Sequence, residues 1–160
     1  MSARMRYSGL TALILAVSPC LIHAATGQSK DPFLGKWTLD SEHSQFTPGP
    51  VPTDRTMTLE MKDGSLHSLT ATVGNNGGTS TIEFTAKFDG ADYPVYGSDL
   101  DTVSLKRDGA TMIERTGKVR GMPSETCTMK VSPDDKTLTM TIKGAYHSVQ
   151  YSSTQIYKRQ

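Results

Sequence analysis

The sequence predicts an all-β domain, an antiparallel up-and-down barrel of about 8–10 strands, preceded by a signal peptide. Three observations carry the prediction. Short runs alternate apolar and polar residues with a period of two, as in Met57, Leu59 and Met61 against Thr56, Thr58 and Glu60. Asp-Gly pairs at 63–64, 89–90 and 108–109 punctuate those runs. Beyond the first residues, no stretch shows a persuasive helical repeat.

The chain has 160 residues, a length that fits one domain. Its start does not read as domain material. Arg4 and Arg6 precede an apolar run over 10–17, and Leu21-Ile22-His23-Ala24-Ala25 follows with small residues suited to a signal peptidase. The apolar run is shorter than the roughly 20 residues a bilayer span needs. Cleavage is expected after Ala24, with Ala25 as the close alternative, so that 1–24 is the signal and 25–160 the barrel. An uncleaved anchor is the competing reading. A lipid anchor on Cys20 fits badly, because Pro19 stands directly before it. The expected destination is the periplasm or the exterior, with no membrane span in the mature chain.

The strands follow in order. Residues 34–40 carry the only tryptophan, Trp37. Residues 41–54 form a loop, because Pro48-Gly49-Pro50 excludes both a helix interior and a central strand. Residues 55–62 and 66–73 pair across Asp63-Gly64; in the second, His67, Leu69, Ala71 and Val73 share a face and are expected to point inward. After the turn at 75–78, residues 81–88 place Ile82, Phe84, Ala86 and Phe88 together. Pro94 makes residues 92–96 a short edge or bulged strand. Residues 102–107 and 111–116 flank Asp108-Gly109, and 125–131 and 138–143 flank Ser132-Pro133-Asp134-Asp135. A long strand over 148–158 closes the series. Asp-Gly supplies the positive φ that tight hairpins need, so consecutive strands pair antiparallel. A meander this long closes into a barrel to remove its edges.

Composition and motifs exclude several functions. The formal net charge is +1, and the signal would remove two arginines, so the domain lacks a nucleic-acid footprint. Cys127 is left alone after cleavage and alternates with Met129 and Val131, which reads as a buried small apolar residue. His43, His67 and His147 show no metal-ligand spacing, and no residue pattern calls for a cofactor. No nucleophile elbow or phosphate-binding glycine loop is present. His43 beside Asp40 and Glu42 could act as a loop base, but a solvated loop explains it better.

Both ends of the chain resemble the calycin superfamily of lipocalins and fatty-acid-binding proteins. Gly35-Lys36-Trp37 resembles the Gly-x-Trp that opens their barrels, and Gln155-Ile156-Tyr157 resembles the closing Arg-x-Tyr. The phrases at 89–95 and 101–107 are similar to small exported bacterial lipocalin-like proteins of unassigned function. The resemblance implies a calycin-like barrel that holds a small hydrophobic or amphipathic molecule. Two departures stand out. The Pro-rich loop over 41–54 replaces the family's helical lid. Gln155 replaces the arginine that, with the tyrosine two residues on, grips a fatty-acid carboxylate, and an amide brings no charge. Arg115 is the candidate substitute if it faces inward.

The expected ligand-binding residues are therefore Gln155, Tyr157, Tyr151 and Arg115, with Phe84, Phe88 and Met140 as apolar wall. Tyr151, Ser153, Gln155 and Tyr157 share one face of the last strand, and buried polar groups need partners. Trp37 is expected to plug the closed end beneath a cation from Arg159 or Lys158. Tyr93 and Tyr96 could line the mouth. Two rival readings remain: a barrel enzyme of isomerase, cyclase or hydratase type using His67, Tyr157, Arg115 and Glu83 or Glu114, or a module with a packed interior.

Overall fold

The computed structural model describes residues 31–146 and 148–160. The expected signal peptide at 1–24 and His147 lie outside the described residues. Eleven strands form one sheet: β1 (Gly35–Leu39), β2 (Gln45–Thr47), β3 (Asp54–Lys62), β4 (Ser65–Val73), β5 (Thr79–Ala86), β6 (Tyr93–Tyr96), β7 (Thr102–Asp108), β8 (Met112–Val119), β9 (Met122–Val131), β10 (Thr137–Tyr146) and β11 (Val149–Arg159). Each of β3 to β10 pairs antiparallel with the next strand, and β1 joins β3 to β11, closing the barrel. Among the described residues no helix is long and apolar enough to cross a membrane.

β2 is the strand that the loop reading missed. It lies on the same edge of β11 as β1: Leu39 faces Tyr157, and farther along Gln45 faces Thr154 and Thr47 faces Ser152. The two are one interrupted staircase, so the barrel has ten positions around its wall. Among the described residues β2 has no partner on its other side. Prolines 48, 50 and 52 follow it and cannot donate to a ladder with β3.

The hairpins form where the turn chemistry demands them. Asp63 and Gly64 both take positive φ, 49° and 75°, the geometry that matches strand twist. Arg120-Gly121 does the same between β8 and β9, at 51° and 76°. That pair carries no Asp-Gly signature, so the sequence pattern ends at 116 and resumes at 125, whereas the strands run on to Val119 and start at Met122.

One facing expectation is corrected. On β4 the inward residues are Leu66, Ser68 and Thr70, not His67, Leu69, Ala71 and Val73. Register decides this. Ser68 sits between Leu59 on β3 and Phe84 on β5, both buried, and one residue of slip would invert the strand. His67 therefore points outward, where Nε2 meets Glu83 at 2.8 Å and Nδ1 meets Lys62 at 3.1 Å.

The closed end is a solid plug. Trp37 is fully buried and donates its Nε1–H to the Phe33 carbonyl at 2.9 Å. The Arg159 guanidinium lies 4.1 Å from the indole centroid and donates to the carbonyls of Leu34, Pro32 and Asp135. Arg107 sits against Phe33 and Phe88, at 5.3 and 4.8 Å from their ring centres, and pairs with Asp31 at 2.7 Å. Above this plug the inner faces of β7 to β10 supply Leu105, Ile113, Met129 and Leu138 to the core.

Candidate functional site

Between the plug and the opposite end of the barrel lies a cavity of about 260 Å³. β4 and β5 give it an apolar wall through Leu66, Ile82 and Phe84; β10 adds Met140 and Ile142. Phe46, Thr47 and Pro48, from β2 and the residue after it, close one side. Of the residues expected from sequence, Gln155, Tyr157, Tyr151, Arg115, Phe84 and Met140 all line this space. Phe88 does not. β5 ends at Ala86, so Phe88 falls in the turn at the closed end and packs on Arg107. Tyr93 donates to Asp89 and Tyr96 is 65% exposed; neither lines the cavity. His43 also stays outside it, paired with Asp40 at 2.9 Å. That contact holds the Asp40 carboxyl below its ordinary range.

The polar residues gather in two clusters. At the deeper one, Gln155 is the hub. Its Oε1 accepts from the Tyr157 hydroxyl at 2.7 Å and from Arg55 Nη1 at 3.0 Å, and its Nε2 donates to Ser153 at 2.9 Å. Arg55 also donates to Thr72 at 3.0 Å and lies 5.5 Å from the Phe46 ring centre. Among the described residues no carboxylate forms an ion pair with Arg55. Arg55 is the residue that the sequence reading overlooked. The signal was its parity with Met57 and Leu59, which fixes it on the inner face of β3.

The second cluster lies toward the open end. Arg115 on β8 donates through Nη2 to Glu125 on β9, and Tyr151 on β11 donates to the other Glu125 oxygen at 2.8 Å. Arg115 does face inward, but Glu125 neutralises it. Glu125 was also missed, although it shares parity with Cys127 and Met129. Burial and the Glu125 charge hold the Tyr151 phenol well above its ordinary pKa, so it stays protonated and donates. Cys127 is buried beside Arg115, and burial raises its pKa, which keeps it a thiol.

Burial likewise pushes the Tyr157 phenol above its ordinary value of 10.0, against the opposing pull of Arg55. The folded state thus holds this proton more tightly than the unfolded chain. The stability it carries is complete below pH 10.0 and is lost as pH rises toward the folded value. The expected slope is about 1.4 kcal/mol per pH unit from this one group. Urea midpoints of the wild type and Tyr157→Phe, taken across the alkaline range, check it: the variant's midpoint should fall less steeply. Parallel curves would assign the loss to another group.

No protein-family profile matches the chain, and the comparison with curated proteins finds no match. Among solved structures, the chain is similar to zebrafish ileal bile acid-binding protein, solved in complex with cholic acid. The TM-score is 0.51 and the sequence identity 12%, over 81% of this chain and 99% of that one. The fold is calycin-like, an all-β antiparallel barrel closed on itself.

Proposed function

We propose that this calycin-like barrel binds a small amphipathic anion, with the anionic group on Arg55 and the apolar body against Phe84, Ile82 and Met140. One observation carries the reading: of the two guanidiniums that line the cavity, Arg115 is paired with Glu125, whereas Arg55 forms no ion pair with a carboxylate among the described residues. Removing such a charge from water is costly unless a partner arrives. A carboxylate fits best, since the guanidinium fork can meet both oxygens. Gln155 and Tyr157 then act as the bracket that fixes Arg55, with Gln155 accepting from both. The bile acid-binding activity named for the zebrafish protein supports the general use of such a barrel for a small molecule. The cavity lies just under the range of about 300–1,000 Å³ typical of drug-sized ligands. That favours a medium-chain or single-ring acid over a fused-ring one. The signal pattern over 1–24 supports export, so the ligand would be met in the periplasm or outside the cell.

Titration calorimetry with octanoate and octanol tests the anion. Octanoate should bind about 10- to 100-fold more tightly, the worth of a charged hydrogen-bonded pair. Equal affinities would remove Arg55 from the binding role.

A further inference from the structure

The second polar cluster is too elaborate for a wall. Gly117, Glu125, Gly144 and Tyr151 form one row across β8, β9, β10 and β11. The two glycines flank Glu125, and both are needed. A Cβ on Gly144 would lie 2.5 Å from the Tyr151 ring and hydroxyl, and one on Gly117 would lie 2.5 Å from Leu100. Glycine weakens a strand, so the row gives up stability to seat Leu100 over Gly117 and to let Tyr151 cross Gly144 and donate to Glu125. A buried ion pair gives up more: well-packed apolar residues in place of Arg115 and Glu125 would be neutral or stabilising.

The cluster also has bonding capacity to spare. Among the described residues Arg115 bonds through Nη2 alone, and its buried Nε has no partner. Glu125 accepts two hydrogen bonds, while a carboxylate has room for about four. Arg115 and Glu125 both line the cavity. Their charges cancel, so the group they suit is neutral. Spare donors beside spare acceptors suit a group that both gives and takes a hydrogen bond, which is a hydroxyl.

We infer that the ligand is a hydroxy acid, its carboxylate on Arg55 and its hydroxyl between Arg115 and Glu125. This rests on the anion-binding reading above and adds a second anchor to it. Gln155 and Tyr151 lie four residues apart on one face of β11, so the anchors stand roughly 13 Å apart along the strand. The hydroxyl therefore belongs at the far end of a medium-length chain and not beside the carboxylate.

Calorimetry with octanoate, ω-hydroxyoctanoate and α-hydroxyoctanoate tests this. The wild type should bind the ω-hydroxy acid about 10-fold more tightly than octanoate, and the α-hydroxy acid no better than octanoate. The double variant Arg115→Leu, Glu125→Leu should fold and lose the ω-hydroxyl preference, so that it binds ω-hydroxyoctanoate no more tightly than octanoate whatever its affinity for octanoate itself; a thermal melt verifies that it folds. If octanoate and ω-hydroxyoctanoate bind equally to the wild type, or if the preference survives in the double variant, the second anchor is overturned while the anion site stands. If neither acid binds, the anion site falls and takes this inference with it.

Discussion

Trp37→Ala is expected to lower the unfolding free energy by about 3–5 kcal/mol, a drop of about 10–20 °C in the thermal midpoint. The indole is fully buried at the closed end, so truncation leaves a void that the barrel rim cannot collapse into. Two further losses add to it. The Phe33 carbonyl loses its donor at 2.9 Å, and the Arg159 guanidinium loses the ring 4.1 Å beneath it. Trp37→Phe should cost less, because a six-membered ring still fills part of the space, although the Nε1–H and the rest of the indole are lost. Neither change touches the cavity wall, so octanoate affinity measured below the melting transition should be unchanged. Denaturant midpoints together with one titration check both halves. A loss under about 1 kcal/mol would mean that the plug is not where this barrel keeps its stability.

Arg55→Met is expected to do the reverse. Octanoate affinity should fall about 10- to 100-fold, while the thermal midpoint stays near that of the wild type or rises. Methionine fills the space of the stem and makes no demand for a counter-charge. What the fold loses are the bonds to Gln155 and Thr72; what it gains is the removal of an unneutralised cation from a largely apolar cavity. Stability and binding should thus separate in one variant, as at a site kept for function. Arg55→Lys is the informative companion. It keeps the charge but not the fork, so part of the affinity should return. A large fall in midpoint with unchanged octanoate affinity would make Arg55 a structural residue.

Much of this was legible in the chain. Leu59, Phe84, Met140 and Tyr157 announce their facing through simple alternation, and Asp63-Gly64 announces its hairpin through φ. The closing strand reads the same way: Gln155, Tyr157 and Tyr151 share a parity that places them on the inner face. Alternation fails where both faces of a strand look alike. On β4 the set Leu69, Ala71 and Val73 is as apolar as the set that packs inside, and Ser68 is polar yet 4% exposed. Only pairing with Leu59 and Phe84 decides between them.

The sequence by itself determined most of the strands, the Asp-Gly turns, the barrel class and the amide at position 155, because each is written in neighbouring residues; β2 and the turn at Arg120-Gly121 are not. The tertiary structure decided where the charge went. Arg55 reaches Gln155 across 100 residues of chain, and Arg115 meets Glu125 with Tyr151 donating from a third strand. Barrel closure brings the first and last strands side by side, and no local pattern encodes which distant side chains then meet. For that reason position 155 reads in the sequence as an uncharged amide, and only the folded barrel shows that this amide accepts from Arg55.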